Sequence, residues 1–325
     1  MSVPEALLVA RGLVTSFALQ GGAFVRAVNE VDLDLFPGET LAVVGESGCG
    51  KSTLARSVLR LVEPTAGSVR FAGEEVLRLR PPALRRLRRD MQLVYQDPMA
   101  SLDPRFTIAR SLMEPMVVHG AASRAERRQR ATALLALVGL DPAAAGRYPH
   151  EFSGGQRQRI GIARAIALEP RLLVLDEPVS ALDVSIQSQI LNLLQDLKAR
   201  LGLTYLFISH DLGVVQAVAD QVAVMYLGRI VEQAPVESLF ASPSHPYTQA
   251  LLAAVPVPDP TRRRIRAAVL GEPPSPEHPP PGCPFHPRCP KAIAVCRTTA
   301  PPAVAVEGGH FARCHLALPV STPPH

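Results

Sequence analysis

The sequence predicts an α/β fold with a largely parallel central sheet, followed by a short tail of different composition. In residues 41–61 a short apolar run typical of a buried strand is followed by a segment with apolar residues at helical spacing. In residues 171–209 a helical segment of the same kind lies between two such apolar runs. The last 54 residues hold 14 of the 32 prolines and four of the five cysteines. We therefore predict a large α/β body over 1–254 and a Cys/Pro-rich extension, dominated by loops, over 255–325.

Length and composition narrow the classes of function. A chain of 325 residues with 47% apolar and 19% charged residues is long enough to bury a sizeable core and is not a disordered protein. The net charge of +5 is mild, and the chain has no Trp and only 5% aromatic residues, which argues against a surface that stacks nucleic-acid bases. No basic start with an apolar core and no run of about 18 apolar residues occurs, so we expect neither a signal peptide nor a membrane span.

The elements of the body follow from their periodicity. Between residues 28 and 36 apolar and acidic residues alternate, which indicates a half-exposed strand. Leu54, Val58 and Leu61 share one face of the helix predicted after the first apolar run. Residues 97–165 contain few β-branched runs and are predicted to form an inserted helical subdomain.

A glycine-rich loop joins the first buried strand to its helix. The loop matches the pattern G-x-x-x-x-G-K-[ST] in full, and its place between strand and helix lets backbone N–H groups surround phosphate oxygens, as in a P-loop nucleotide-binding domain. Lys51 is predicted to reach the β- and γ-phosphates and Ser52 to bind Mg²⁺, whereas Cys49 is interpreted as a filler and not as a metal ligand. The predicted nucleotide-contacting residues are Gly45, Glu46, Ser47, Gly48, Cys49, Gly50, Lys51, Ser52 and Thr53.

Two acidic residues end the second apolar run, at 172–177. Ligands of open α/β sheets bind at the carboxyl ends of the strands, so both acids are predicted to lie near the phosphates. Asp176 is predicted to hold Mg²⁺, and Glu177 to accept a proton from the attacking water as general base. Acids at a strand end are more often simply solvated, but the phosphate loop upstream favours the functional interpretation.

Ser153, Gly154, Gly155 and Gln156 open a predicted helix just before the acidic strand. Ser153 with Gln156 fits a capping box, which is a purely structural explanation. A capping box needs no pair of glycines, and two glycines at a helix N-terminus form a second surface for an anion.

With this motif the chain resembles the ATP-binding subunits of ABC transporters over nearly its whole length. The resemblance implies a RecA-like core with an antiparallel β subdomain and an inserted helical subdomain. Its motifs arrive in the family's order: the glycine loop at 45–52, Gln96 within 94–98, the signature at 153–156, the acidic strand at 172–177, Asp183 within 180–183 and His210 within 207–211.

The resemblance also implies an ATPase that works as a head-to-tail pair of subunits. Each ATP is expected to lie between the glycine loop of one subunit and the signature and Asp183 of the other. Gln96 is expected to bind Mg²⁺ and to sense the transmembrane partner, and His210 to hold the γ-phosphate. Phe17 is the candidate for the aromatic ring that stacks on adenine, with a core phenylalanine as the alternative.

Three segments resemble the oligopeptide/dipeptide importer branch, namely 96–105, 244–248 and the cysteine-containing tail from 282. That branch implies a second, different ATPase subunit, with a homodimer as the alternative, two integral membrane permeases and an extracytoplasmic binding protein. The chain is then expected to be peripheral, on the cytoplasmic face of the membrane. Nickel importers share part of the pattern, so nickel or another small solute is the alternative cargo.

A non-transport ABC ATPase that acts on nucleic acid or the ribosome is the runner-up class. Six arginines between positions 78 and 89 could suggest that class, but a solvated face close to Gln96 is the preferred explanation of these arginines. Members of that class usually carry two nucleotide domains or a long coiled-coil insertion, which this sequence lacks, so we expect no nucleic-acid partner. A purely regulatory ATP-binding module is disfavoured because Glu177, Gln96 and His210 are all present.

The cysteines of the tail form the last candidate site. Disulfides are not expected in a reducing cytosol, and a segment with little core of its own would gain from a metal cross-link. Structural zinc sites usually carry paired Cys-x₂₋₄-Cys motifs, whereas the wider spacing found here suits a cubane iron–sulfur cluster. The resemblance to the importer tail likewise implies a [4Fe–4S] cluster. The nearby His286 and His315 keep a mixed Zn²⁺ site open, and an empty site is the third alternative. The candidate ligands, separated by five, six and seventeen residues, are Cys283, Cys289, Cys296 and Cys314.

Overall fold

A computed structural model describes residues 5–19, 22, 24–255, 271–306 and 308–318. The strands are β1 Leu8–Ala18, β2 Phe24–Leu35, β3 Thr40–Val44, β4 Ala66–Phe71, β5 Glu74–Glu75, β6 Met91–Val94, β7 Leu172–Asp176, β8 Thr204–Ser209, β9 Gln221–Tyr226, β10 Arg229–Pro235, β11 Val304–Val306 and β12 His310–Ala312. The helices are α1 Lys51–Val58, α2 Pro81–Leu87, α3 Pro98–Ser101, α4 Ile108–Val118, α5 Arg124–Leu137, α6 Gly154–Ala165, α7 Val184–Leu201, α8 Leu212–Val218, α9 Val236–Ala241 and α10 Pro246–Ala254.

The chain divides into two compact units, and each is assembled from segments that are distant in the sequence. The first, called here the helical unit, comprises residues up to 7, 35–39 and 78–208. The second, called here the sheet unit, comprises 8–34, 40–77 and the chain from 209 onward. Residues 256–270, which directly follow the predicted start of the extension at 255, lie outside the described residues.

The sheet unit contains an antiparallel sheet with the strand order β2-β1-β4-β5. Strand β4 runs antiparallel to both β1 and β5. In β2, Val31, Leu33 and Leu35 are buried while Asp32 is exposed, which confirms the half-exposed strand predicted from the alternation.

The strands of the tail extend a second group of strands in the sheet unit. Strand β3 is parallel to β9, β9 is antiparallel to β10, and β10 pairs with β12, which in turn pairs with β11. The extension, predicted to be dominated by loops, thus also contains two short strands, at 304–306 and 310–312. Residues 310 and 312 are buried against the sheet, and Gly308 and Gly309 supply the positive φ angles of the turn between the two strands.

The helical unit holds three parallel strands, with β7 between β6 and β8. All five residues of β7 are buried, as its apolar run predicted. Helices α3 to α6 lie within the stretch predicted to be helical, and the apolar faces of α4, α5 and α6 share one core. The buried members of that core include Ile108, Leu112, Leu135, Phe152 and Ile160.

Helix α1 is shorter than its periodicity predicted. Arg60 has φ = +50°, which ends the helix, and the Leu61 N–H bonds back to the carbonyl of Arg56. Leu61 is consequently 46% exposed and is not part of the helical face formed by Leu54 and Val58. Among the helices of the described residues, none combines the length and the apolarity that crossing a bilayer requires.

Candidate functional site

The glycine-rich loop of the sheet unit connects β3 to α1, and its backbone accepts only glycine at two points. A Cβ at Gly45 would lie 2.2 Å from the carbonyl oxygen of Met225, and one at Gly50 would lie 1.9 Å from that of Ala27. Gly48 has open space around it but a φ of +78°, which side chains rarely adopt. Gly45 and Gly50 therefore allow the loop to approach neighbouring backbone closely, and Gly48 allows a left-handed backbone conformation.

Lys51 folds back into this loop. The side chain is 4% exposed, and Nζ donates hydrogen bonds to the carbonyl oxygens of Gly45 at 2.8 Å and Glu46 at 2.9 Å. An ammonium group carries three donors, so these contacts use two of them while holding the charge inside the loop. Ser52 and Thr53 follow in the first turn of α1 and are half-buried.

Cys49 is buried within the same loop. Burial raises the pKa of its thiol, and the charge and backbone N–H of Lys51 only partly offset that effect. The residue is thus a neutral, small apolar group in its surroundings, in keeping with its interpretation as a filler.

The acidic strand of the helical unit brings Asp176, Glu177 and Gln96 to one edge. Asp176 is 1% exposed at the end of β7, and Glu177 is half-buried directly after it. Nε2 of Gln96 donates to Oε2 of Glu177 at 3.0 Å, across 81 residues of sequence. Glu177 has φ = +47°, an uncommon conformation for a side chain with a Cβ, and its N–H donates to the carbonyl of Ile208 at 3.1 Å.

The signature motif forms the N-terminus of α6 in the helical unit. Ser153 and Gln156 make both hydrogen bonds of a capping box, with distances of 3.3 and 2.9 Å. A Cβ at Gly155 would lie 2.5 Å from Cγ2 of Ile186, so this glycine lets α6 and α7 approach closely. The structure thus adds a packing role for Gly155 that the sequence did not indicate. Ser153, Gly154 and Gln156 are exposed, as is Asp183 at the start of α7.

Two further predicted site residues belong to the sheet unit. His210 is exposed immediately after β8. Phe17 lies near the end of β1 and is 41% exposed, so its alternative as a core phenylalanine is wrong. An exposed aromatic ring remains available for the predicted stacking on a base.

The tail cysteines are free thiols that influence one another. Cys283, Cys296 and Cys314 are buried, and Cys289 is half-buried. Burial first, and then the neighbouring Cys296, Cys314 and Cys289, raises the pKa of Cys283 to about 11. Within the described ranges, however, no three His, Cys, Asp or Glu side chains are grouped as the ligands of a metal ion.

Backbone N–H groups act on three of these thiols. Leu316 N–H donates to Sγ of Cys314 at 3.4 Å, two residues along the chain. The N–H groups of Phe285 and Lys291, again two residues along, lower the pKa of Cys283 and Cys289 against the larger effect of burial. Donors of this kind favour the thiolate form of a cysteine.

The tail is also better anchored than its composition predicted. Phe285 is 1% exposed and packs against the rings of Tyr226, Tyr247 and His245, with centroid distances of 5.4, 5.3 and 5.8 Å. The segment, predicted to have little core of its own, is therefore anchored by an aromatic core that Phe285 shares with the body of the sheet unit.

Sequence reasoning missed two residues that contact the glycine loop, Arg288 and Tyr247. The Arg288 guanidinium binds both carboxylate oxygens of Glu46 at 2.8 Å, and the Tyr247 hydroxyl accepts the Glu46 N–H at 2.9 Å. These partners are 242 and 201 residues from Glu46, so no local periodicity could have paired them.

Comparison with protein families decides the class. Residues 28–180 match the family model described as ABC transporter, and residues 231–296 match the one described as Oligopeptide/dipeptide transporter, C-terminal region. The chain belongs to the ABC transporter ATP-binding family. It is an ATPase of that family, and its C-terminal region is of the oligopeptide/dipeptide type.

Individual relatives agree over almost the full length of this ABC ATPase. It is 49% identical to the oligopeptide transport ATP-binding protein AppF of Bacillus subtilis, over 96% of this chain and 98% of the relative. It is 51% identical to the di/tripeptide transport ATP-binding protein DppF of Pseudomonas aeruginosa, over 96% and 98%. Among solved structures, a dimeric ATP-binding cassette in a post-hydrolysis state with ADP and Pi is similar, with a TM-score of 0.65 and 29% identity over 70% of this chain and 98% of that one.

Proposed function

We propose that this ABC ATPase hydrolyses ATP to power the import of oligopeptides or dipeptides through partner permeases. The observation that carries the proposal is the similarity, over nearly the full length and with about half of the residues identical, to proteins named for oligopeptide and di/tripeptide transport. The matching C-terminal region supports the same cargo class, and it disfavours an ATPase that acts on nucleic acid.

In this proposal the glycine loop and the acidic strand have different chemical roles. The glycine loop holds the phosphates through its N–H groups, and Lys51 offers its remaining N–H donor to the β- and γ-phosphates. Glu177 accepts a proton from the attacking water, while Gln96 holds one carboxylate oxygen and orients the other. His210 binds the γ-phosphate, and Phe17 stacks on the adenine.

The proposed Mg²⁺ ligands are Ser52, Gln96 and Asp176. Their hydroxyl, amide and carboxylate oxygens form the hard donor set that Mg²⁺ prefers, and Asp176 is a buried carboxylate that a cation would stabilise. When bound, the ion neutralises charge that develops on the phosphate oxygens.

The proposed assembly is a head-to-tail pair of ATPase subunits. The second subunit is a different ATPase chain or, alternatively, a copy of this one. The exposed Ser153, Gly154 and Gln156 of this chain, with Asp183, complete the site that the glycine loop of the second subunit begins, and the signature of the second subunit completes the site of this chain. The pair works with two permeases, one of which docks a cytoplasmic helix on the surface around Gln96 and residues 99–105 of this chain. An extracytoplasmic binding protein delivers the cargo. The chain then sits peripherally on the cytoplasmic face of the membrane.

Transport assays with the permeases encoded beside this chain test the cargo. Vesicles that contain the permeases and both ATPase subunits should take up labelled oligopeptide or dipeptide in an ATP-dependent manner. Uptake of nickel in place of peptide would assign the alternative cargo, and co-purification with nucleic acid and not with permeases would reject transport.

Two variants test the division of the site. Lys51→Ala should weaken ATP binding to the isolated subunit at least tenfold, because a charged partner of the phosphates is lost. Ser153→Arg should leave that binding within about twofold yet abolish hydrolysis by the assembled pair, since its target lies in the other subunit. Equal loss of monomer affinity in both variants would refute the composite site.

We also propose that Cys283, Cys289, Cys296 and Cys314 hold a metal group, a [4Fe–4S] cluster in preference to Zn²⁺. The support is the donor set of four thiols and the Leu316 N–H that donates to Sγ of Cys314. In the described residues these side chains are not grouped as ligands, so a bound group would have to draw them together. The aromatic core around Phe285 removes one reason for a metal, namely that the tail lacks a core. Anaerobically purified protein should contain iron and sulfide and be brown; colourless protein with one zinc per chain would assign Zn²⁺, and metal-free protein would reject the site.

A further inference from the structure

Glu46 places a carboxylate on the loop that is proposed to bind phosphates. A negative charge beside a polyanion site opposes binding unless a cation neutralises it. The neutralising cation in this structure comes from the tail, since both guanidinium nitrogens of Arg288 bind the two oxygens of Glu46 at 2.8 Å. Arg288 is only 5% exposed, so solvent screens this pair little.

The backbone of Glu46 is held by a second residue of the sheet unit. Its N–H donates to the hydroxyl of Tyr247 at 2.9 Å. Because Gly45, Gly48 and Gly50 all have positive φ and confer little stiffness, the shape of the loop depends on contacts of this kind.

The two partners of Glu46 are themselves fixed by packing. Tyr226 and Tyr247 lie 4.6 Å apart between ring centroids, and Phe285 contacts both rings. The Tyr226 hydroxyl also accepts a hydrogen bond from Arg288 at 3.4 Å. Arg288 and Tyr247 therefore act from a rigid base and not as mobile surface side chains.

A buried ion pair is weak evidence for net stability, because desolvation offsets the attraction between its charges. Orientation and charge neutralisation at the loop are a better account of this pair. We propose that Arg288 and Tyr247 are positioning residues of the nucleotide site, through which the C-terminal region sets the affinity of the loop for phosphates. The inference rests on the proposed role of the loop as the phosphate site.

Equilibrium binding of ATP and ADP to the full-length subunit tests the inference. Arg288→Met should weaken the binding of both nucleotides about tenfold, because it leaves the Glu46 charge unpaired beside the phosphates, and the loss should grow at low salt. The double variant Arg288→Met/Glu46→Gln should recover to within about threefold of wild type, since the repelling charge is gone. A purely structural role of Arg288 would give no such recovery.

Further variants separate the contributions. Tyr247→Phe should weaken binding about threefold and increase hydrogen exchange at the Glu46 amide. Arg313→Met, which removes a partly exposed arginine 3.7 Å from Asp32 in the same unit, is the matched control and should bind as wild type. If Arg288→Met does not fold, Arg288→Lys keeps the charge without the two-pronged contact and should bind within threefold of wild type.

The outcomes distinguish this inference from the proposed function. Wild-type affinity in folded Arg288→Met, or a double variant as weak as Arg288→Met, would overturn the positioning role. Undiminished binding by Lys51→Ala would instead show that the loop is not the phosphate site, and would overturn both.

Discussion

Nε2 of Gln96 donates a hydrogen bond to Oε2 of Glu177, with 3.0 Å between the two atoms. The contact occupies one oxygen of the proposed base, and the left-handed backbone of Glu177, with φ = +47°, fixes where its side chain leaves the strand. Strained conformations of this kind persist where the surroundings over-determine them, often at active sites. The proposed base and the amide proposed to orient it are thus one structural pair within the helical unit.

Replacing Glu177 with Gln should separate binding from turnover. The amide keeps the shape of the side chain but does not accept a proton, so ATP should bind while phosphate release falls about a hundredfold or more. Size-exclusion chromatography with ATP should then show an accumulated dimer. A variant that releases phosphate at the wild-type rate would remove Glu177 from the role of base.

Replacing Gln96 with Ala should lower kcat for ATP more than it raises KM. The change removes both the hydrogen bond that orients the carboxylate of Glu177 and one proposed Mg²⁺ ligand, so we expect kcat to fall about tenfold, the value of one hydrogen bond to a charged group, and KM to rise by less. Steady-state kinetics at several ATP concentrations measure both constants. A rise in KM with unchanged kcat would indicate that Gln96 serves binding and not the base.

Much of the site was predictable because each motif is local. Lys51 folds into its glycine loop, and Asp176 and Glu177 end a buried strand, as their spacing indicated. The contact between Gln96 and Glu177 was not predictable from periodicity, since it depends on the neighbouring strands β6 and β7. The partners of Glu46 were not predictable either, because they are distant from it in the sequence. The aromatic core around Phe285 was not predicted because the tail is rich in proline.

Gly155 belongs to the predicted signature motif and also lets α6 and α7 pack closely. Gly155→Ala places a methyl group 2.5 Å from Cγ2 of Ile186, so it should lower the free energy of unfolding by about 1–3 kcal/mol, the usual cost of overpacking. Thermal unfolding should show a reduced Tm for this variant, and Gly155→Ala/Ile186→Ala should regain part of it. Gly154→Ala is the matched control, because its Cβ would lie 3.6 Å from Leu182, an ordinary contact; a Tm drop in the control alone would contradict the packing role.

His245 gives the sheet unit a pH dependence. It is 1% exposed, and burial lowers its pKa to about 4. Its Nδ1 accepts the N–H of Tyr247 at 3.0 Å, which caps α10 and requires an unprotonated Nδ1. The same side chain packs against Phe285, so its charge state bears on the anchoring of the tail.

The direction of the effect follows from where the proton binds. Between pH 6.5 and about 4 the unfolded chain takes up a proton at residue 245 that the folded chain does not bind, so the free energy of unfolding should fall as the pH falls. A difference of about 2.5 pKa units corresponds to roughly 3 kcal/mol by pH 4, and above pH 6.5 this residue should contribute no slope.

Denaturant unfolding of the wild type and of His245→Asn across this range measures the contribution. Asn retains a side-chain acceptor for the Tyr247 N–H but takes up no proton, so its stability should fall less steeply than that of the wild type below pH 6.5. His150→Asn changes an exposed histidine and should leave the wild-type slope intact. Equal slopes in the wild type and His245→Asn would show that residue 245 is protonated in the folded protein, and that the buried acceptor for α10 is not maintained there.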